Sequence, residues 1–194
     1  MIKSKIDLKE YLLADKKALD KHTKRPRFKH DVIWKYQILL RKCEYYNNCR
    51  CDIFGKIYGK FLKFRFITLG QQLGFSLPLN VFDKGLSIAH YGALVVNANA
   101  VVGENCRIHE GVTIGVTGNA YWGLQENNAP IIGNNVFIAT GAKIIGDVKI
   151  ADGVAIGANA VVVKSIDEPN TTWAGIPAKK ISDKGSCLYI KRFI

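Results

Sequence analysis

The sequence predicts a parallel β-helix preceded by a basic α-helical region. A six-residue aliphatic period in the second half and a change of charge near residue 73 carry that prediction. Aliphatic side chains recur at Val96, Val102, Ile108 and Ile114, then at Ile132, Ile138, Ile144, Ile150, Ile156 and Val162. Helices repeat about every 3.6 residues and strands about every two, so neither explains a period of six. A short strand plus a corner does, when successive strands stack into coils. Small or short residues follow many of these aliphatics (Gly103, Gly115, Gly133, Ala139, Ala151, Gly157), as tight corners require. Three hexapeptides make one triangular coil, so 96–113, 132–149 and 150–167 are the expected coils.

The helical region is 1–73. It holds 18 Lys/Arg against 7 Asp/Glu, net +11, whereas 74–194 holds 10 against 9, net +1. Such a basic front suits an anionic partner. Ile33, Trp34, Tyr36, Ile38, Leu39, Leu40 and Cys43 are spaced for a buried helix. Residues 53–73 form a second helix, with Lys56, Lys60 and Lys63 on one face. That helix either lies on an anionic membrane surface or packs on its neighbours with a solvated basic face. The helical front also covers the open end of the β-helix, as solenoids require. The β-helix is assigned to 74–182 and a basic tail to 183–194. The stretch 116–131 breaks the period with turn residues and Trp122, and a loop of that length in a tight solenoid suggests function.

Composition narrows the function classes. Apolar residues at 48% exclude disorder. The N-terminus has no apolar core of signal-peptide length, and no apolar run reaches the roughly 18 residues that span a bilayer. The five cysteines read as free thiols in a cytoplasmic protein. Cys43, Cys49 and Cys51 with His30 match no zinc spacing, and no metal is expected. No phosphate-loop or dinucleotide fingerprint occurs.

The repeat, the break after GVTIGVTG and the exit sequence AGIPAK resemble the hexapeptide-repeat acyltransferases. The resemblance supplies the left hand of the β-helix. HYGALVVNANAVVGENCRIHEGVTIGVTG follows the serine acetyltransferase pattern. LPLNVFDKGLSIAHYG and CRIHEGVTIG are similar to the related proteins of bacterial capsule and exopolysaccharide clusters. The resemblance implies acetyl-CoA as donor, a homotrimer, and a catalytic histidine between subunits that matches His90. It also implies an aspartate partner for that histidine, where this chain has Phe75, and a second histidine that holds serine, where this chain has Ala129.

The residue reading agrees on the chemistry. Acyl transfer to a hydroxyl needs a base, an oxyanion stabiliser and exclusion of water. His90 stands in the six-residue register, one step before Val96, so it is expected at an inward slot and is the candidate base. His109 lies one coil plus one residue later, so it is expected beside His90, pointing outward, as a substrate binder or oxyanion donor. Asp83 is the first candidate to orient His90, then Asn80 or a backbone carbonyl; Glu104 and Glu110 read as solvated carboxylates. The donor site is expected along the small-residue corners, at Gly141, Ala142, Gly157 and Ala158, with Lys164, Lys179 and Lys180 meeting phosphates. Asn80, Tyr91 and Trp122 are candidates for the acceptor, and Trp122 or Trp173 for stacking on sugar or adenine.

The expected function is acetyl-CoA-dependent O-acetylation of a sugar hydroxyl in a surface polysaccharide or its precursor, with peripheral contact at the inner face of the membrane. Serine O-acetyltransferase is the first alternative. A non-catalytic β-helix that binds an acidic polymer is the second; no nucleic-acid partner is expected.

Overall fold

The structure, a computed structural model, describes residues 1–123 and 128–190. Three helices come first: α1 (Lys5–Ala18), α2 (Val32–Cys49) and α3 (Ile53–Leu73). The Ser4 hydroxyl accepts from Asp7 N–H and caps α1; Asp52 accepts from Gly55 N–H and caps α3. Gly74, at φ +79°, ends α3 in the left-handed conformation that glycine adopts without strain. The apolar spacing anticipates α2 and α3. It misses α1, which buries only Tyr11 and Asp15 and has no strong apolar stripe.

Short parallel strands then stack into three sheets, the sides of a prism. One side is β1 (Phe75–Ser76), β3 (Leu94–Val96), β6 (Thr113–Gly115), β9 (Lys143–Ile145) and β12 (Val161–Val162). A second is β4 (Val101–Val102), β7 (Ile131–Ile132) and β10 (Lys149–Ile150). The third is β2 (Ser87–Ile88), β5 (Arg107–Ile108), β8 (Phe137–Ile138), β11 (Ala155–Ile156) and β13 (Thr172–Ala174), closed by antiparallel β14 (Lys179–Ser182). The result is a left-handed β-helix behind a helical region, as anticipated.

Three buried ladders fill the prism: Val96–Ile114–Ile144–Val162, Val102–Ile132–Ile150 and Ile88–Ile108–Ile138–Ile156. All are at most 5% exposed, so each isoleucine contributes about 1.5–3 kcal/mol of burial. The register measures the coils. Lys143 pairs with Val161, which makes that coil three hexapeptides long. Thr113 pairs with Lys143, which makes the preceding coil five hexapeptides long. The interruption at 116–131 therefore adds the length of two hexapeptides to one coil. It begins with the short helix α4 (Gly118–Tyr121).

The first coil is different. Ser87 pairs with Arg107, so this turn exceeds three hexapeptides by a dipeptide, which lies around His90. The inward slot belongs to Ile88, and the six-residue count back from Val96 to His90 fails.

Side chains of α1 and α2 cover the open edge of this coil. Gln37 of α2 donates to the Leu86 carbonyl (2.7 Å) and accepts from Ile88 N–H (3.2 Å). Asp15 of α1 accepts from the N–H groups of Gly85 and Leu86, 2.9 Å each. Arg41 donates to the carbonyls of Phe82 and Asp83, 2.7 Å each. An uncovered edge would leave these backbone groups unpaired or open to another strand. Arg41, 0% exposed, also pairs with Asp15 at 2.8 Å and with Glu44 at 3.0 Å.

Candidate active site

His90 sits two residues after the inward Ile88, on an exposed corner that Gly92 turns at φ +142°. His109 follows the inward Ile108 and faces outward. Their rings are 5.5 Å apart, edge to face, and His109 also meets the Phe137 ring at 5.2 Å. Phe137 is stacked on Tyr189 from the tail at 4.4 Å.

Glu110 completes the cluster, although its residue type alone suggested a solvated carboxylate. Its Oε1 accepts from the Thr140 hydroxyl at 2.8 Å, and its Oε2 is 4.0 Å from His109 Nδ1. Ligand atoms of His90, His109 and Glu110 lie within 4.8 Å of one another. Among the described residues, this is the grouping of His, Cys, Asp or Glu compact enough to hold a cation or share a proton. His109 Nε2 and Glu110 Oε2 are buried without a hydrogen-bond partner among the described residues, so both atoms are available to hydrogen-bond a ligand. Burial, then the charge of Arg107, holds the His109 pKa below the usual imidazole range, which favours the neutral ring. A bond from its own backbone N–H, then the Thr140 hydroxyl, keeps Glu110 below the usual carboxylate range.

Arg107, missed in the sequence reading, faces outward two residues before His109. Its guanidinium donates to Ser87 Oγ at 3.0 Å, and burial lowers its pKa. It borders two clefts. One, about 860 Å³, lies between the end of α1, β5 and Leu188–Ile190; the other, about 700 Å³, is lined by His30, Trp34, Gln72 and Tyr91. An Arg at an outward strand position carries no sequence signal; only stacking shows it beside His109.

Several expected site residues lie elsewhere. Asp83 does not orient His90. It follows Phe82, which bridges Val102 on another side of the prism, and its carboxylate accepts from Tyr11 Oη and Lys84 N–H. Asn80 is held by Asn48 and, through its N–H, by Glu44 of α2. Phe75 is buried in the core, its ring 5.1 Å from Tyr36. Gly141, Ala142 and Gly157 donate their N–H groups to Glu110, Ala139 and Trp173 carbonyls, so these amides are not free for a donor. The Ala142 side chain points into the core, while Ala158 is exposed. Lys180 is paired with Glu168 and Asp183, whereas Lys164 and Lys179 are exposed. Trp173 donates to Thr171 Oγ1 at 3.0 Å and packs partly on the core. Tyr91 and Trp122 are 72% and 76% exposed and present their rings to solvent.

Comparison with known proteins agrees with this architecture. The family model for the bacterial transferase hexapeptide (six repeats) matches residues 129–164. A serine acetyltransferase of Staphylococcus epidermidis is 40% identical over 102 residues, 53% of this chain and 46% of that protein. One of Staphylococcus aureus is 39% identical over the same length. The chain thus spans about half the length of the curated relatives it matches. The crystal structure of serine acetyltransferase from Brucella abortus superposes with a TM-score of 0.69 at 28% identity, covering 93% of this chain and 71% of that one. Its complex with coenzyme A gives 0.69 at 27%, covering 93% and 70%. Repeat, fold and relatives converge on one likeness: this chain carries the bacterial transferase hexapeptide repeat over residues 129–164 and is similar to serine acetyltransferases.

Proposed function

We propose that the chain is an acetyl-CoA-dependent O-acetyltransferase with His90 as general base. The observation that carries this is the His90–His109–Glu110 cluster on the outer face of a serine-acetyltransferase-like β-helix. An imidazole accepts the hydroxyl proton as the oxygen attacks the thioester carbonyl. The tetrahedral intermediate then collapses, the C–S bond breaks, and the proton passes to the thiolate. His109 presents Nε2 to the acceptor or its oxyanion. Glu110 orients His90, in place of the aspartate that Phe75 replaces. Coenzyme A supplies the activated acetyl group, with Ala158, Lys164 and Lys179 along its path.

The names of the relatives support L-serine as acceptor. A sugar hydroxyl is the second reading, and three residues favour it. Phe75 and Ala129, both buried, leave out two groups that the resemblance assigns to the serine site, and Arg107 adds a cation for an acidic sugar. A site without a substrate's polar partners discriminates against it sharply. Coenzyme A release measured with L-serine and with acidic and neutral sugars separates the readings. Serine turnover in the ordinary range of about 10 per second would establish serine; trace serine turnover with strong sugar turnover would establish the sugar. Arg107→Gln is expected to weaken an acidic acceptor about tenfold in kcat/KM and to spare a neutral one. A lipid-linked sugar would bring the enzyme to the cytoplasmic face of a membrane.

The cluster opens to solvent at His90, whereas a thioester needs shelter from water. A second subunit provides that shelter, and the proposed assembly is a homotrimer. Light scattering at micromolar concentration is expected to report three times the 21.6 kDa chain mass; a monomer would overturn the assembly.

A further inference from the structure

We propose that the outer face of α3 docks on an anionic lipid bilayer and lies in its interface. The helix is apolar on two sides. Gly55, Leu62, Phe66 and Gly70 face the protein, where Tyr36 of α2 stacks on Phe66 at 4.8 Å. Roughly opposite stand Ile53, Phe54, Ile57, Phe61 and Phe64, from 52% to 80% exposed. Their spacing of three and four makes one stripe along the helix. A helix with two apolar sides needs a partner for each, and here the protein covers only one of them. Scattered single apolar residues are ordinary on a surface; a continuous aromatic and aliphatic stripe is an interaction face.

Charge identifies the occupant. Lys56, Lys60 and Lys63 run along one flank of the stripe and Arg65 lies on the other, and α3 contains no Asp or Glu. Lysine stems beside an apolar stripe reach to headgroups while the rings enter the acyl boundary. A second copy is the poorer match. An α3–α3 contact would set like charges together, and most acids of the helical region are already engaged. Asp15 and Glu44 hold Arg41, Asp31 holds Lys21 and Arg27, Asp52 holds Arg50, and Glu10 holds Lys84. Among the described residues no helix is long and apolar enough to cross a membrane, so α3 lies on the surface.

The test is co-sedimentation of the full chain with vesicles of phosphatidylcholine alone or mixed with phosphatidylglycerol. Binding is expected only to the anionic vesicles and is expected to weaken as salt rises. Changing Lys56, Lys60 and Lys63 together to Gln should weaken it about a hundredfold, since each lysine near such a surface contributes on the order of tenfold or less. Phe61→Gln with Phe64→Gln should weaken it at least about tenfold with far-UV circular dichroism unchanged. Absence of binding to anionic vesicles overturns the proposal. So does a fall in oligomer mass in the double Phe variant, which would make α3 a contact between copies.

Discussion

Replacing His90 with alanine is expected to reduce acetyl transfer by about 10²–10⁴-fold, the usual worth of a positioned base. His90 is exposed at a corner and fills no core slot, so the melting temperature should stay unchanged. Coenzyme A release by a variant of wild-type stability is therefore the direct measurement. More than about a tenth of wild-type turnover would remove His90 from the role of base. Glu110 provides a companion test. Because its Oε1 is anchored by Thr140, Glu110→Gln keeps the shape and removes the charge near both imidazoles. Turnover is expected to fall about tenfold, with KM little changed. Unchanged turnover would mean that Glu110 does not act through the base.

Arg41→Met is expected to destabilise the fold by about 3–5 kcal/mol, because it removes one partner of a buried ion network. Burial by itself would favour a neutral guanidinium, yet Asp15 and Glu44 reverse this and raise its pKa. Methionine has similar length and no charge. It would leave two carboxylates at most 2% exposed and the carbonyls of Phe82 and Asp83 without their donor. Urea unfolding followed by circular dichroism reads the loss. A change under about 1 kcal/mol would show that water or local rearrangement satisfies these groups instead. Because Arg41 joins α1, α2 and the first coil, the variant should also expose that coil's edge. Aggregation at high protein concentration is the expected sign.

Much of the architecture is readable in the residues. The six-residue period specifies stacked coils, since a narrow prism admits only aliphatic or small side chains at repeating inward positions. Ile108, Ile114, Ile138 and Ile144 could be placed inward, and 116–131 marked as an insertion, by counting alone. The spacing within 32–49 and 53–73 likewise indicates α2 and α3. His109 beside His90 follows from the length of a coil, because stacking brings residues one coil apart to about 4.8 Å.

Counting fails where the period does. An extra dipeptide in the first coil moves His90 from the inward slot to an outer corner, and only strand pairing reveals it. Asp83 is near His90 in sequence, yet it belongs to another side of the prism. Glu110 looks like any surface acid until Thr140, far along the chain, is stacked beneath it. Arg41, Asp15 and Glu44 have the types of solvated residues and become buried because a β-helix must cover its first edge with hydrogen-bonding groups. The sequence by itself determined the repeat, the insertion, two helices and the residue types of the chemistry. Only the tertiary structure decided which carboxylate meets the histidines and which face of α3 stays uncovered. Periodicity is local information, carried by neighbours along the chain, whereas the partner of a polar side chain is set by what packing places across from it.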